Sequence, residues 1–474
     1  MIELKDIKKV YFIGIGGIGM SALARYFKFH GREVSGYDKT ETPLTKKLVE
    51  EGIPVHYEDD LEQAPKDVQL VVYTPAMPKG HQELTYYRQH NYNLMKRSEV
   101  LGLITNSSFN ICVAGTHGKT TVSTMTAHLL QDSGYGCNAF LGGIAVNYNS
   151  NYWSDKRNVC VVEADEYDRS FLRLTPDVAA ITSMDPDHLD IYGTPEAMEE
   201  AFIEFSGKLK PGGLLISKKG LSRSKDLKAA NHVEYSLQDK NADVYADNIR
   251  TNRGSYIFNV VMKDWRLEEV VLNMGGLHNI ENVLVAITVA HHQGISDDKI
   301  KAAVASFRGV KRRFEYIIKA VAPSASGEVV MVDDYAHHPE ELRALITGVK
   351  NLFPDMFFTL LFQPHLFSRT RDFADEFAAT LDMADEVVLL PIYPARELPM
   401  EGVTSQMLLD RMKNGRKQLL SKEELLKWVE GEAAKRVVRG DTNHGGKGWV
   451  LVTAGAGDID ALVQPIKKII EERY

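Results

Sequence analysis

Ile111-Cys-Val-Ala-Gly-Thr-His-Gly-Lys-Thr-Thr121 reads as a short apolar strand running into a glycine-rich turn that delivers Lys119, Thr120 and Thr121 to a helix start. Backbone N–H groups of such a turn, with the positive end of the helix dipole, make an anion site. A lysine there reaches terminal phosphate oxygens, and the hydroxyl after it can sit on Mg²⁺. The spacing departs from the usual phosphate loop. That pattern has a glycine five residues before Gly118, where Val113 stands. Gly115 comes three residues before Gly118, so a tighter loop is expected. The alternative, a Gly-Lys-Thr turn on a surface loop, fits poorly with a strand before it and a helical pattern after it.

Outward from this loop, a helix is expected over 120–132 and strands over 158–163, 178–183 and 212–217. That alternation predicts a mostly parallel α/β sheet. Residues from about 220 to 275 read as short strands and turns, a β-rich insertion, and 279–293 as an amphipathic helix. Upstream, Val10-Tyr-Phe-Ile-Gly-Ile-Gly-Gly-Ile-Gly-Met20 places Gly14, Gly16 and Gly19 in G-x-G-x-x-G after a strand. A helix over 20–27, a strand over 33–37 and Asp38 at its end complete a nucleotide-binding βαβ unit, the acid about 20 residues on. Such glycines admit a pyrophosphate, which NAD and UDP-sugars both carry. A strand over 70–73 leads into Thr74-Pro-Ala-Met-Pro78, a loop at the carboxyl edge where such sheets bind ligands. Downstream, strands over 329–333, 357–362, 386–390 and 449–453 alternate with helices, and loops are expected at 323–327 and 440–448. The polar run Asn106-Ser-Ser108 and the stretch Phe307-Arg-Gly-Val310 mark boundaries. Three α/β domains are therefore expected: a Rossmann-like one at 1–106, a phosphate-loop ATPase with a mostly parallel sheet at 107–308, and a Rossmann-like one at 309–474.

A chain of 474 residues exceeds what one core usually covers. Its net charge of −8 argues against a nucleic-acid footprint, though not against a local cationic site for anionic substrates. The three cysteines, Cys112, Cys137 and Cys160, lack metal spacing and read as small core residues in a reducing compartment. No apolar run reaches the length of a membrane span, and the start Met1-Ile-Glu-Leu has no secretory character. A cytoplasmic protein without membrane insertion is expected.

Strand ends carry the remaining candidates. Glu163 ends one strand, with Asp165, Glu166 and Asp168 behind it. Hard Mg²⁺ takes one or two carboxylates, so Glu163 is chosen and the later acids are read as a solvated turn. Asp185-Pro-Asp-His-Leu-Asp190 gathers three acids around His188, either a ligand cluster or a capping turn. Asn279 and Asn282 share a helix face that is either solvated or turned to a base or ribose. Asp333-Asp-Tyr-Ala-His-His-Pro339, Phe362-Gln-Pro-His-Leu-Phe-Ser-Arg-Thr-Arg371 and the pair Arg312 and Arg313 are further polar clusters suited to an anionic substrate.

Taken in order, these motifs resemble those of the ATP-dependent Mur ligases of peptidoglycan synthesis, across essentially the whole chain. The Gly-Lys-Thr-Thr loop and Asp187-His-Leu-Asp190 are similar to superfamily motifs; Gly14-Ile-Gly-Gly-Ile-Gly-Met-Ser21 and Asp334-Tyr-Ala-His-His-Pro339 resemble the alanine-adding branch. The resemblance implies ATP-driven amide formation between the lactyl carboxylate of UDP-N-acetylmuramate and L-alanine, through an acyl phosphate kept from water by domain closure. It implies ATP and Mg²⁺ as cofactors, the metal at two sites where Mn²⁺ can substitute. By the same resemblance Gly14, Gly16, Gly17, Ile18, Gly19, Asp38 and Thr74 would hold the UDP-sugar. Gly115, Thr116, His117, Gly118, Lys119, Thr120, Thr121, His278, Asn279, Asn282, Arg313 and Asp334 would hold ATP. Thr120, Glu163 and His188 would hold metal, and Tyr335, His337 and Arg369 would position alanine. Lys119, Glu163, His188, His337 and Arg369 would then be catalytic.

Two departures matter. Some superfamily members carry a carbamylated lysine after the Asp-His motif, and 194–205 contains no lysine. Leu366 stands where several alanine-adding enzymes have arginine, leaving Arg369 alone or helped by Arg371. Three rivals are a recycling ligase that adds a tripeptide to the same sugar nucleotide, an NAD-dependent dehydrogenase, which leaves 115–121 unexplained, and a non-catalytic nucleotide-binding regulator, which would need a damaged phosphate or metal site.

Overall fold

The computed structural model describes residues 4–74, 77–78, 80–319, 328–439 and 448–473. The loops expected at 323–327 and 440–448 lie outside them except Gly448, which opens a strand, and so do Met1, Pro75, Ala76 and the side chains of Asp168 and Asp190.

The first sheet has β1 (Lys9–Ile13), β2 (Glu33–Tyr37), β3 (Val55–His56), β4 (Leu70–Tyr73) and β5 (Leu94–Lys96). All are parallel, in the order β3-β2-β1-β4-β5. Val10 and Phe12 fill one face of β1 while Tyr11 and Ile13 fill the other, all buried. A strand buried on both faces reads as the continuous apolar run seen here. The glycine turn after β1 opens where the strand order reverses, the usual ligand position in such sheets.

The second sheet has β6 (Phe109–Ala114), β7 (Asn138–Ala145), β8 (Ser150–Trp153), β9 (Val159–Glu163), β10 (Val178–Ile181), β11 (Leu214–Lys218), β12 (Asn231–Ser236), β13 (Val244–Asn252), β14 (Ser255–Met262) and β15 (Trp265–Leu272). Their order is β15-β14-β13-β12-β11-β10-β6-β9-β7-β8. β6 lies between β9 and β10, both parallel to it, with Val113 opposite Glu163 and Ala114 opposite Ile181. The loop after β6 therefore opens between the carboxyl ends of its two neighbours. The third sheet has β16 (Glu315–Lys319), β17 (Glu328–Asp334), β18 (Phe357–Phe362), β19 (Glu386–Leu389), β20 (Lys417–Leu419) and β21 (Gly448–Ala454). Its order is β16-β17-β21-β18-β19-β20, parallel except for β16.

Chain contacts divide the protein into two compact units: residues 1–247, 260–268 and 281–304, and residues 248–259, 269–280 and 305–474. The first expected domain and most of the second thus share one unit, while 248–259, 269–280 and 305–308 of the second fall in the other. A buried polar tie joins the two domains within the first unit. Arg25, on the helix Ile18–Phe29, grips the Glu51 carboxylate at 2.6 and 3.2 Å and donates to Asn151 Oδ1 at 3.0 Å. The Asn151 Nδ2 donates to the Ile18 carbonyl at 2.6 Å, and Asn151 is fully buried. Asn151→Ala would strand a guanidinium N–H, while the Ile18 carbonyl keeps the Ser21 hydroxyl at 2.8 Å. The substitution is expected to destabilise the first unit by about 1–3 kcal/mol, read as a lowered urea midpoint; an unchanged midpoint would show that the tie contributes nothing.

Candidate active site

Gly118 caps the helix Lys119–Asp132 at φ 83°, and Gly115 sits at φ 136°. A Cβ at Gly115 would lie 2.2 Å from Thr182 Oγ1, so the loop closes only around a bare backbone. The tightness expected from the spacing has this cause. Neighbouring side chains brace the turn: Thr116 Oγ1 lies 2.8 Å from Ser183 Oγ, His117 N donates to Ser183 Oγ at 2.7 Å, and Thr182 donates to the His117 carbonyl. That duty ends β10 at Ile181 rather than at Ser183. Thr121 is buried, and the exposed His117 ring lies 3.9 Å from Asp185.

Lys119 reaches back over the loop. Its Nζ donates to the Gly115 carbonyl at 2.6 Å and lies 2.7 Å from the Glu166 carboxylate. Thr120 Oγ1 donates to Glu163 Oε1 at 2.8 Å, and Gly142 N donates to Glu163 Oε2 at 2.8 Å. Glu163 and Thr120 therefore meet, as the strand order requires. The solvated turn expected after Glu163 does not hold for Glu166, which is 1% exposed. The chain folds back after β9 and spends that carboxylate on Lys119. His188 Nε2 lies 3.7 Å from Glu166 and 3.7 Å from Asp187. One ligand atom from each of Glu166, Asp187 and His188 falls within 4.8 Å of the others, a spacing that suits one cation. His188 holds φ 49°, unusual for a residue with a Cβ, and caps the short helix Leu189–Tyr192. His188 thus stands at a cap position without a side-chain cap bond, its ring beside two carboxylates. Asn282 Oδ1 lies 3.0 Å from where a Gly118 Cβ would be.

Beside this cluster lies a cavity of about 320 Å³, whose lining includes Ile18, Gly19, Arg97, Gly142, Glu163 and Asp165. A Cβ on Gly19 would meet Arg97 Cδ at 2.9 Å, and Arg97 NH2 lies 3.8 Å from Asp165. At the same glycine turn, Gly17 is the helix cap, and Thr74 packs where a Gly14 Cβ would be. Asp38 accepts Gly16 N–H at 2.7 Å and Thr40 N–H at 3.2 Å.

In the second unit, Asp334 accepts the N–H groups of Phe314 and Ala336, each at 2.7 Å. Burial pushes its carboxyl up to about 6. Both oxygens brace backbone here, the first of them fixing the turn that presents the exposed Arg313. Arg312 turns the other way, to Asp333 and Asp460, each at 3.5 Å. His278 is exposed, whereas Asn279 is buried and donates to the Gly275 carbonyl at 2.6 Å, so a solvated face does not describe it. Tyr335 and His337 meet edge to face at 5.2 Å, and His337 meets His365 in the same way at 5.9 Å. Burial lowers the pKa of both histidines, favouring their neutral forms. Arg369 lies 3.5 Å from His365 Nδ1. The Arg371 guanidinium pairs with Asp372 at 2.7 Å.

Family models match three consecutive segments: the Mur ligase family catalytic domain at 9–108, the Mur ligase middle domain at 113–290, and the Mur ligase glutamate ligase domain at 312–457. The chain belongs to the Mur ligase family. The UDP-N-acetylmuramate–L-alanine ligase of Flavobacterium johnsoniae is 47% identical over 475 residues, 99% of this chain and 100% of that one. The enzyme of the same name from Cytophaga hutchinsonii is 47% identical over 485 residues, covering 100% and 99%. The crystal structure of UDP-N-acetylmuramate–alanine ligase from Thermotoga maritima superposes with a TM-score of 0.77 at 28% identity, covering 98% of this chain and 99% of that one. Mur ligases use ATP.

Four residues beside the phosphate loop and the cavity were not singled out by sequence: Glu166, Asp187, Gly142 and Arg97. Asp187 and Glu166 stood in polar runs whose neighbours drew the attention. Gly142 and Arg97 carry no local signal, since only the pairing of distant segments brings them to Glu163 and Gly19. In this Mur ligase Gly115→Ala is expected to cut ATP turnover by at least about 10-fold, through strain and the clash with Thr182. Gly134→Ala, also at positive φ (77°) but in open space, should leave turnover near wild type. Equal effects would place the sensitivity in backbone strain alone.

Proposed function

We propose that this enzyme joins the lactyl carboxylate of UDP-N-acetylmuramate to the amine of L-alanine, with ATP converted to ADP and phosphate, in peptidoglycan precursor synthesis. The observation that carries the reading is the meeting of Lys119, Thr120, Glu163, Glu166 and His188 at the end of one phosphate loop. Full-length likeness to alanine-adding ligases supports it. The substrate carboxylate attacks the γ-phosphorus and ADP leaves. The alanine amine then attacks the acyl carbon, phosphate leaves, and the nitrogen gives up a proton.

The first problem is repulsion between two anions, and a cation at the transferring phosphoryl relieves it. Lys119 supplies one such charge. On nucleotide binding it exchanges Glu166 for phosphate oxygens, and the released Glu166 carboxylate turns to the Asp187–His188 side. Thr120 and Glu163 would hold one Mg²⁺, and Glu166, Asp187 and His188 a second, since hard cations take oxygen donors and imidazole serves beside them. The ions would neutralise charge between phosphate and carboxylate. The donor sets present fit that task.

The cavity beside Gly19, Arg97 and Glu163 suits the acyl-bearing end of the sugar nucleotide, with Gly14, Gly16, Gly17, Ile18, Asp38 and Thr74 toward its UDP end. Arg97 is added to that set on its position. The first turn of the helix Leu277–His292 would offer His278 to adenosine, and Arg313 would serve phosphate. Arg369 takes the alanine carboxylate, with Tyr335 and the neutral His337 beside it. On this reading 1–106 binds the UDP-sugar, 107–308 ATP and 309–474 the amino acid. We place the reaction in the cytoplasm. Among the described residues no helix is long and apolar enough to cross a membrane, and the three free thiols are buried.

The test is phosphate release from ATP with Mg²⁺ and UDP-N-acetylmuramate, with L-alanine, L-alanyl-γ-D-glutamyl-diaminopimelate or no amine. Release that needs L-alanine and is lost in Lys119→Ala is expected. Release only with the tripeptide would move the enzyme to recycling, and none with either would overturn the substrate assignment. Glu166→Gln should separately raise the Mg²⁺ concentration for half-maximal rate about 10–100-fold; an unchanged requirement would remove Glu166 from the metal set.

A further inference from the structure

Strand β18 ends at Phe362 and runs through Gln363-Pro-His-Leu366 into the short helix Phe367–Asp372, which carries Arg369. Leu366, immediately before that helix, holds φ 68°. A leucine adopts this left-handed conformation only where its surroundings impose it, and such strain gathers at functional sites. Here the imposing groups come from one loop, residues 390–404. Leu366 N donates to the Tyr393 carbonyl at 2.9 Å, and Tyr393 N donates to the Pro364 carbonyl at 2.8 Å. Glu397 then takes both donors of Ser368, its backbone N–H at 2.9 Å and its hydroxyl. Glu397 is itself seated by its own N–H on the Pro394 carbonyl at 2.9 Å.

The same loop fixes the other side of the cluster. The Tyr393 ring stacks on His365 at 5.8 Å and 16°, and His365 Nδ1 lies 3.5 Å from the Arg369 guanidinium. With Arg371 committed to Asp372, Arg369 is the guanidinium of this helix that faces the histidines. A six-residue helix after a strained residue has little stability of its own. Its rotation, and so the direction of Arg369, depends on what anchors its first turn.

We propose that Glu397 is a positioning residue for the amino-acid substrate: by binding both donors of Ser368 it fixes the helix so that Arg369 meets the substrate carboxylate. The proposal rests on the assignment of Arg369 to the alanine carboxylate. Glu397 touches no substrate in this account. The two Ser368 bonds hold its carboxyl below the usual carboxylate range, so it stays an anionic acceptor through neutral pH.

The experiment is steady-state kinetics of the full chain in Glu397→Ala, Glu397→Gln, Ser368→Ala and Arg369→Ala, each with its unfolding midpoint. Glu397→Ala should raise KM for L-alanine at least about tenfold, the scale on which small misplacements act. The kcat at saturating alanine and the KM values for ATP and UDP-N-acetylmuramate should stay within about twofold. Glu397→Gln keeps an acceptor oxygen for Ser368 and should recover most of the loss, and Ser368→Ala should fall between. If Arg369→Ala leaves the alanine KM unchanged, the carboxylate assignment fails and the positioning role falls with it. If Arg369→Ala raises that KM while Glu397→Ala does not, the positioning role alone is overturned. A Glu397→Ala effect spread over all three KM values, unrescued by glutamine and accompanied by a lowered midpoint, would mean ordinary structural support and would also overturn it.

Discussion

The ion pair between the partly buried Lys119 and the buried Glu166 ties the phosphate loop to the turn after β9. An ammonium taken out of water is costly unless a partner meets it closely, and here a carboxylate at 2.7 Å and a carbonyl at 2.6 Å do so. Meeting that need fixes several segments together. The β6–β9 register brings Glu163 beside Thr120, and the turn after β9 must then fold back to place Glu166 under the lysine. The Tyr192 hydroxyl donates to the Glu166 carbonyl at 2.7 Å, which ties the segment after His188 to the same turn. Phosphate loop, strand end and histidine cluster therefore meet around one ion pair. Because the Lys119 charge is paired internally, a phosphate bound as proposed would replace a partner and need not meet a bare cation.

Strand-end acids in the second unit do a different job. Burial pushes Asp333 up to about 7 and Asp334 up to about 6, above the ordinary carboxylate range. Each folded carboxyl thus holds its proton to a higher pH than the unfolded chain would, so its burial costs stability as pH rises from about 4 toward those values. What the cost secures is geometry. Asp333 accepts from Thr453 Oγ1 at 2.6 Å and faces Arg312, while Asp334 holds the turn containing Arg312 and Phe314, both at positive φ. Carboxylates at equivalent ends of two sheets divide into those that meet the phosphate loop's side chains and those that brace backbone turns.

This division explains what was legible in the sequence. Strands buried on both faces, such as β1 and β18, announce themselves as apolar runs, and glycine turns mark where they end. The short edge strands β3, β5, β8, β16 and β20 do not, because pairing with a neighbour, and not composition, makes them strands. Glu163 was legible because it closes an apolar run next to the phosphate loop in strand order. Glu166 looks identical in sequence to the acids around it, and only the fold-back after β9 separates it from them. Asn279 shows the converse. Its spacing from Asn282 suggested a shared face, yet the turn at Gly275 captures its amide.

The N-terminal glycine motif illustrates why spacing alone does not select a ligand. Glycines are commonly read as room for a pyrophosphate. In this chain protein side chains fill much of that room: Thr74 at Gly14, Asp38 at Gly16 and Arg97 at Gly19. Asp38, the acid that would read a ribose in a dinucleotide enzyme, accepts Gly16 N–H and Thr40 N–H. The loop has thus internalised one anion, and its own Gly16 N–H is committed to it. Arg97 stands on the cavity wall, 3.8 Å from Asp165. The same G-x-G-x-x-G geometry can then serve a sugar nucleotide whose charge is met by a guanidinium as well as by backbone. Which ligand it serves is decided by residues about 20 and about 80 positions downstream, whose relation to the glycines exists only after β1 has paired with β2 and β4.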